Sequence, residues 1–584
     1  MYENIKTFSI VIIFISFLTI NTYVFYELIT NLFRKLPKKS RFALIGISFF
    51  GSLTLVYLGL LLDSHFLWVT LHIIAYFYFI YLKKQKLFDV KAFRVQDKYL
   101  FFGAMIIFAQ SIFVYYYDAI NHISMNHPDN LANYNWAIWN SNPGEISYPP
   151  GLSSLIIPIT KVFDLFYILN FIGSTLGLVG FFVLILTLKS IFEIKQIIIL
   201  MIFLLSPLFN TLTTIRFGFH AGSIFQVILI SYVAFLIVSI QNKLILDKLS
   251  LIFVFNTIIF IQAAITSIPQ IATLLILNLL LMLFLSFIKL IRLRVGVVFI
   301  LSSFLGLLFA ILYTSIIQIQ SIFDFFNSSS SSFTIASLEF FMDFFNPVFP
   351  IRPIFESSLS FISYLVLPIL LYILYTALRN KNVPMLVMIF TTLYYLFVTQ
   401  TGIFEFSFAK GRAGWNILLL VPIVIILHFS NFIFKLNTKF LVVIASLSFT
   451  TSLVFPPTAY RIESDKALYA IKNLVSGREV NLYSDFSEAK FIGSNIMMIS
   501  KEELSFDLNS NYVLLNISSI LPDLFKANIR RYEDRDFNTF YENQSNIINT
   551  KLKNHDIFIE QLKKLGYKVV LKESEFIILK GEMT

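Results

Sequence analysis

The chain has 584 residues, 57% of them hydrophobic and only 14% charged, with a mean hydropathy of +0.77 and a formal net charge of +11. Soluble domains keep roughly a quarter of their residues charged, so this composition excludes a soluble globule and demands a bilayer. The lack of cysteine excludes disulfides, thiolate metal sites, Cys nucleophiles and S-palmitoylation. The opening MYENIKTFSIVIIF has neither a basic n-region nor a small-residue cleavage site, and is read as leading straight into a retained first helix. Apolar runs near the ~20 residues that span a hydrocarbon core follow at 8–33, 42–62, 66–82, 99–117, 165–188, 197–215, 223–240, 251–268, 271–288, 295–317, 359–378, 383–398, 417–434 and 440–455, about fourteen spans in all.

Orientation follows from the Lys/Arg bias of the short connections. Alternate loops carry Arg34, Lys35, Lys38, Lys39 and Arg41; Lys83, Lys84, Lys86, Lys91, Arg94 and Lys98; Lys189 and Lys195; Lys243 and Lys248; Lys289, Arg292 and Arg294; Arg379 and Lys381; Lys435 and Lys439. The opposite set holds only Lys6, Lys161, Arg216, Arg352, Lys410 and Arg412. The first set is expected in the cytoplasm, which spends most of the positive charge on topology and leaves no nucleic-acid surface. The pair Lys410 and Arg412 breaks the rule within its own loop, which marks that loop as a candidate site.

Residues 456–584 open on Pro456-Pro457 and turn far more polar. Helical patterns over DKALYAIKNLV and NHDIFIEQLKKLG, the latter closed by Gly566, alternate with strand patterns over EVNLYSD, NIMMIS, NYVLLN, YKVVLKES and EFIILKG. The expected architecture is mainly α: a polytopic transmembrane helix bundle over 1–455, including an external loop 118–164, and a small extracytoplasmic α/β domain over 456–584. The multi-pass bundle belongs in a plasma (inner) membrane.

The spans are almost free of charge, with Glu27 the one acid clearly inside a span. Ionisable residues gather instead at the external mouths of helices: Asp118, His122, His127, Asp129 and Glu145 in one loop, Arg216 and His220 in another, and Glu405, Lys410 and Arg412 in a third. Intramembrane charge marks a translocation path; its absence points to a site at the membrane surface. Tyr115–Tyr117 form an aromatic belt that sets Asp118 within a turn of the water interface. If that helix continues, Asp118 and His122 share a face at i and i+4. A carboxylate there can take a proton from a hydroxyl or help hold a divalent cation, and the imidazole can orient it or bind a phosphate. Beyond it, Ser147-Tyr148-Pro149-Pro150-Gly151 fixes an extended turn before a short helix over about 152–163, too short to cross the bilayer.

An acid at the outer end of an early span, a long folded loop, a YPP motif opening a short helix, many further spans and an external C-terminal domain together resemble the GT-C superfamily of membrane glycosyltransferases. At residue level DAINH around Asp118 and SYPPG around Tyr148 carry the resemblance. Here three spans precede the fourth, whose outer end opens the acidic loop, whereas members of that superfamily often place that loop after the first span. The resemblance implies a polyprenyl-phosphate-linked sugar donor and a glycan, lipid or protein acceptor, with membrane lipids around the site. It makes Asp118 the general base toward the acceptor hydroxyl or a ligand of a divalent cation, Mg or Mn. Arg412 in AKGRAGWN, then Arg216 in IRFGFHAG, are the residues it offers to the donor phosphate, with Lys410 and His220 beside them. Glu145 and Tyr148 of the loop are further substrate-binding candidates. A polysaccharide polymerase or ligase would tolerate loss of Asp118 but not of the external arginines. A lipid-linked oligosaccharide flippase or transporter fits the span count but not the uncharged spans or the lack of a repeat, and a scaffold without catalysis would show neither activity nor donor binding.

Overall fold

In bilayer hydrocarbon no water satisfies a backbone N–H or C=O, so long apolar runs close their hydrogen bonds internally as helices. The computed structural model describes residues 2–61, 65–84, 97–121, 169–206, 221–244, 248–266, 268–313, 356–401, 407–454, 470, 473, 482–484, 496–498, 512–516, 556–572 and 576–581. Its helices are α1 (Tyr2–Leu32), α2 (Lys38–Arg41), α3 (Leu44–Leu61), α4 (His65–Lys84), α5 (Lys98–Asn121), α6 (Leu169–Leu188), α7 (Ile194–Leu205), α8 (Ala221–Gln241), α9 (Leu249–Thr266), α10 (Ile268–Phe287), α11 (Leu293–Tyr313), α12 (Glu356–Arg379), α13 (Val383–Thr401), α14 (Ser407–His428), α15 (Ser430–Lys435) and α16 (Thr438–Val454). The expected apolar runs fall on these helices as far as they are described: the 197–215 run is described only to residue 206, and the 417–434 run is divided between α14 and α15. Among the described residues seven segments are long and apolar enough to cross a membrane: Ser9–Leu32, Lys38–Val56, Lys98–Tyr117, Phe171–Leu188, Ile224–Gln241, Leu249–Thr266 and Gln270–Phe287. These helices belong to one compact unit except for residues 118–121 of α5 and 169–171 of α6, which fall with the C-terminal sheet in a second.

Apolar faces alone give a bundle little specificity in lipid, because the tails are as apolar as Leu; small residues and interhelical hydrogen bonds supply it. The tightest association in the first unit is α9 against α11. Gly306 allows it: a Cβ there would sit 2.6 Å from Phe260 Cβ and 2.8 Å from the Thr257 carbonyl oxygen. Asn256 of α9 and Asn278 of α10 each donate from Nδ2 to the same Phe299 carbonyl of α11, both at 3.1 Å, and onward to Ser302 and Ser303. Tyr232 of α8 donates to Asn278 Oδ1 at 2.6 Å. Elsewhere Gln262 of α9 donates to Thr54 of α3, and Tyr394 of α13 to the Thr273 carbonyl of α10.

Several of the connections expected to share one side meet, those around Lys39, Tyr99, Lys189 to Lys195, Asn242 and Lys439. Lys39 pairs with Glu193, Asn242 donates to Ser40, and Lys195 donates to the Phe434 and Leu436 carbonyls. Lys189 lies over the Phe42 ring and Lys439 over Tyr99. Three helices close on lysines in the left-handed region: Lys243 at φ 53°, Lys289 at φ 57° and Lys381 at φ 48°. Lys289 N–H donates to Ser286 O and Leu290 N–H to Leu285 O, while Lys381 N–H donates to Leu378 O and Asn382 N–H to Ala377 O. Those paired bonds are the Schellman arrangement, usually built on glycine.

The second unit contains a five-stranded sheet of β1 (Leu482–Ser484), β2 (Ile496–Met498), β3 (Tyr512–Asn516), β4 (Tyr567–Lys572) and β5 (Phe576–Gly581), in the order β2-β1-β3-β5-β4. β1 runs parallel to both β2 and β3; β5 runs antiparallel to β3 and β4. A helix over 556–564, here α17, buries Phe558, Ile559 and Leu562 with Val513, Leu515, Tyr567, Ile577 and Leu579. Gly566 ends it at φ +90° and turns the chain into β4. These strands lie where the alternating patterns put them. The helix expected over DKALYAIKNLV falls almost wholly outside the described residues.

Candidate functional site

α5 starts with a cap of its own making. The Asp97 carboxylate accepts from the Tyr99 and Leu100 backbone N–H groups at 2.9 and 3.2 Å. The Leu100 contact leads the causes that hold its carboxyl below the usual carboxylate range, with the Thr438 hydroxyl and Lys195 charge adding to it. This cap satisfies donors a helix start would otherwise leave open.

Further along α5, Gln110 is completely buried, and its Nε2 lies 2.7 Å from Ser452 Oγ, 3.1 Å from Ser448 Oγ and 3.2 Å from the carbonyls of Leu205 and Ser448. One amide thus ties α5 to α7 and α16. Six residues on, the Tyr116 hydroxyl pairs with Thr175 of α6 at 2.7 Å. Between them these contacts set the depth and rotation of the segment ending at Tyr117. Asp118 is the next residue and lies in the last turn of α5, eight residues, about 12 Å of rise, beyond Gln110. The side chain of Asp118 lies outside the described residues, as does all of His122, because α5 is described to Asn121. The shared helical face expected for Asp118 and His122 is therefore not part of the described structure.

Lys410 and Arg412 are the fourth and sixth residues of α14, in its first two turns. Their backbone is helical and their side chains lie outside the described residues. Asn416, four residues after Arg412 and so on the same helical face, is fully buried, and neither of its amide atoms has a hydrogen-bond partner among the described residues. A buried primary amide offers two donors and a carbonyl acceptor, and leaving them unmade is costly. Sequence reasoning passed over both Gln110 and Asn416. The signal for each was an amide inside an apolar run, IIFAQSIFV and WNILLL.

Glu145, Tyr148, Arg216 and His220 lie outside the described residues, as does the short helix expected over 152–163. Among the described residues no group of three His, Asp or Glu could hold a metal ion. Asp118 belongs to the second compact unit, whereas Lys410 and Arg412 belong to the first. No protein-family model matches the chain, and no curated protein matches it either.

Proposed function

We propose that the chain is a plasma-membrane glycosyltransferase that moves one sugar from a polyprenyl-phosphate carrier to a hydroxyl on a lipid-linked glycan, an envelope polysaccharide or a protein. The observation that carries this reading is the position of Asp118: an acid in the last turn of an apolar helix whose upper half is held by Gln110 and Tyr116. A carboxylate held at the lipid boundary can take the proton from an acceptor hydroxyl as that oxygen attacks the anomeric carbon. The departing lipid phosphate needs a cation at headgroup depth; Arg412 beside Lys410 is the first candidate and Arg216 beside His220 the second, because a guanidinium fork suits phosphate oxygens. Asn416, one turn further along α14, offers neutral donors to hydroxyls beside that phosphate. A divalent cation, Mg or Mn, would bind through Asp118 and help neutralise the phosphate.

In this reading all of the apolar helices except α2 and α15 cross the membrane, giving fourteen spans. The end that gathers Lys39, Lys189, Lys195 and Lys439 faces the cytoplasm, and the C-terminal domain is external. Glu145 and Tyr148 are further candidates for substrate binding in this reading.

The test is Asp118→Asn in vesicles supplied with polyprenyl-phosphate sugars. Loss of transfer by two or more orders of magnitude, with donor binding and folding intact, is the expected outcome. Full transfer by that variant, together with loss on Arg412→Ala, would move the chain to the polymerase or ligase class.

A further inference from the structure

The second unit presents an unusual stretch of surface. From Lys563 to Lys572 the chain reads KKLGYKVVLK, and every residue in it except Tyr567 is exposed. Leu565 is 52% exposed, Val570 53%, and Val569 and Leu571 about two-fifths. In a strand lying on a core, neighbouring side chains alternate between covered and open faces. β5 does find cover on both faces, whereas β4 from Lys568 to Lys572 is open on both. Ile557 on α17 adds another exposed aliphatic, and the bare turn at Gly566 joins the end of α17 to β4.

Among the described residues β4 is also the last strand of its sheet, paired with β5 alone. An open apolar edge invites another strand unless something blunts it. Here the register shifts between Val569 and Leu571, and Lys568 and Lys572 flank the aliphatics. Both features work against strand addition, which leaves the side chains as the recognising groups. Among the described residues they combine branched aliphatics with Lys563, Lys564, Lys568 and Lys572, against Asp556 and Glu560 on α17, the latter paired with Lys563. The partner must therefore be apolar just below its surface and negatively charged upon it. A bilayer with anionic headgroups has both properties: aliphatics enter the acyl boundary while lysine stems extend back to phosphates. Such a surface is close to this unit by covalent connection, since the same chain carries seven segments able to cross a membrane.

We infer that the Lys563–Lys572 edge is a lipid-docking surface that seats the second unit on anionic headgroups of the membrane its own helices cross. This inference stands independently of the proposed transferase activity. The natural lack of cysteine makes the test direct: full-length protein carrying Val570→Cys, and separately Leu565→Cys, is spin-labelled and placed in nanodiscs of phosphatidylcholine with or without phosphatidylglycerol. With phosphatidylglycerol present, both labels should collide with oxygen and be shielded from a water-soluble nickel chelate, relative to a label at exposed Lys381→Cys. A lysine near an anionic surface biases docking roughly fivefold. Lys568→Gln combined with Lys572→Gln should thus shift the Leu565→Cys label toward nickel access by about twenty-five-fold in occupancy. Labels at both sites that meet the nickel chelate freely in either lipid would overturn the inference. So would dipolar coupling between labels on two copies in one disc, which would assign the edge to pairing between chains.

Discussion

At the scale of single residues, Gly306 is where a side chain is least affordable. The atoms that crowd it, Phe260 Cβ and the Thr257 carbonyl oxygen, belong to or adjoin the α9 backbone and cannot rotate away. Gly306→Ala should therefore cost about 1 to 3 kcal/mol, read as a lowered thermal midpoint in detergent. Asp97 makes a pH-dependent contribution. Its folded-state pKa is depressed, chiefly by the Leu100 N–H, so the stabilisation is fully present above the unfolded carboxyl value and lost as pH falls through the folded one. Asp97→Asn keeps an acceptor and removes the charge. Its thermal midpoint should lie below that of the unmodified protein at neutral pH, and the gap should close below about pH 4. A gap that persists in acid would mean the carboxylate charge does not matter.

At the scale of elements, the helix ends at Lys289 and Lys381 set two effects against each other. Left-handed backbone costs a residue with a Cβ about 1 kcal/mol relative to glycine, while the ammonium groups are favourably placed by the negative end of the helix dipole. The conformational cost is the larger, so Lys289→Gly and Lys381→Gly should each raise the unfolding midpoint slightly in detergent, where topology is already set. The element scale is also where most of the fold was legible. Apolar length marked the helices, alternation marked strands such as Tyr512–Asn516, and Gly566 announced its own turn. Interhelical pairing was not legible, because Asn256, Asn278 and Gln110 look alike in sequence, as single polar residues in apolar runs. Which carbonyl each meets depends on helix rotation and crossing, which no local pattern encodes. Of the site, the sequence placed Asp118 at a helix end but Lys410 and Arg412 in the loop before the 417–434 run, whereas α14 begins at Ser407 and takes both into its first two turns. Asn416 was missed because an amide has no charge to draw attention to it.

At the scale of the whole molecule, the gathering of basic connections at one end makes orientation directly testable. Single cysteines in the natural cysteine-free chain should separate cleanly. In intact cells a membrane-impermeant maleimide should react with Asp556→Cys but not with Lys289→Cys or Lys381→Cys, and permeabilisation should expose the latter pair. Labelling of Lys289→Cys and Lys381→Cys from outside, with Asp556→Cys protected until permeabilisation, would reverse the orientation and move Asp118 to the cytosolic face. The hub around Phe299 also bears on how such a chain is made. Its carbonyl belongs to α11, which leaves the ribosome after both helices that depend on it. Until α11 arrives, the amides of Asn256 and Asn278 have no such acceptor waiting in the lipid. In the proposed fourteen-span reading the earlier hairpin thus has reason to linger beside the insertion machinery, and the three helices to enter the bilayer together as one parcel.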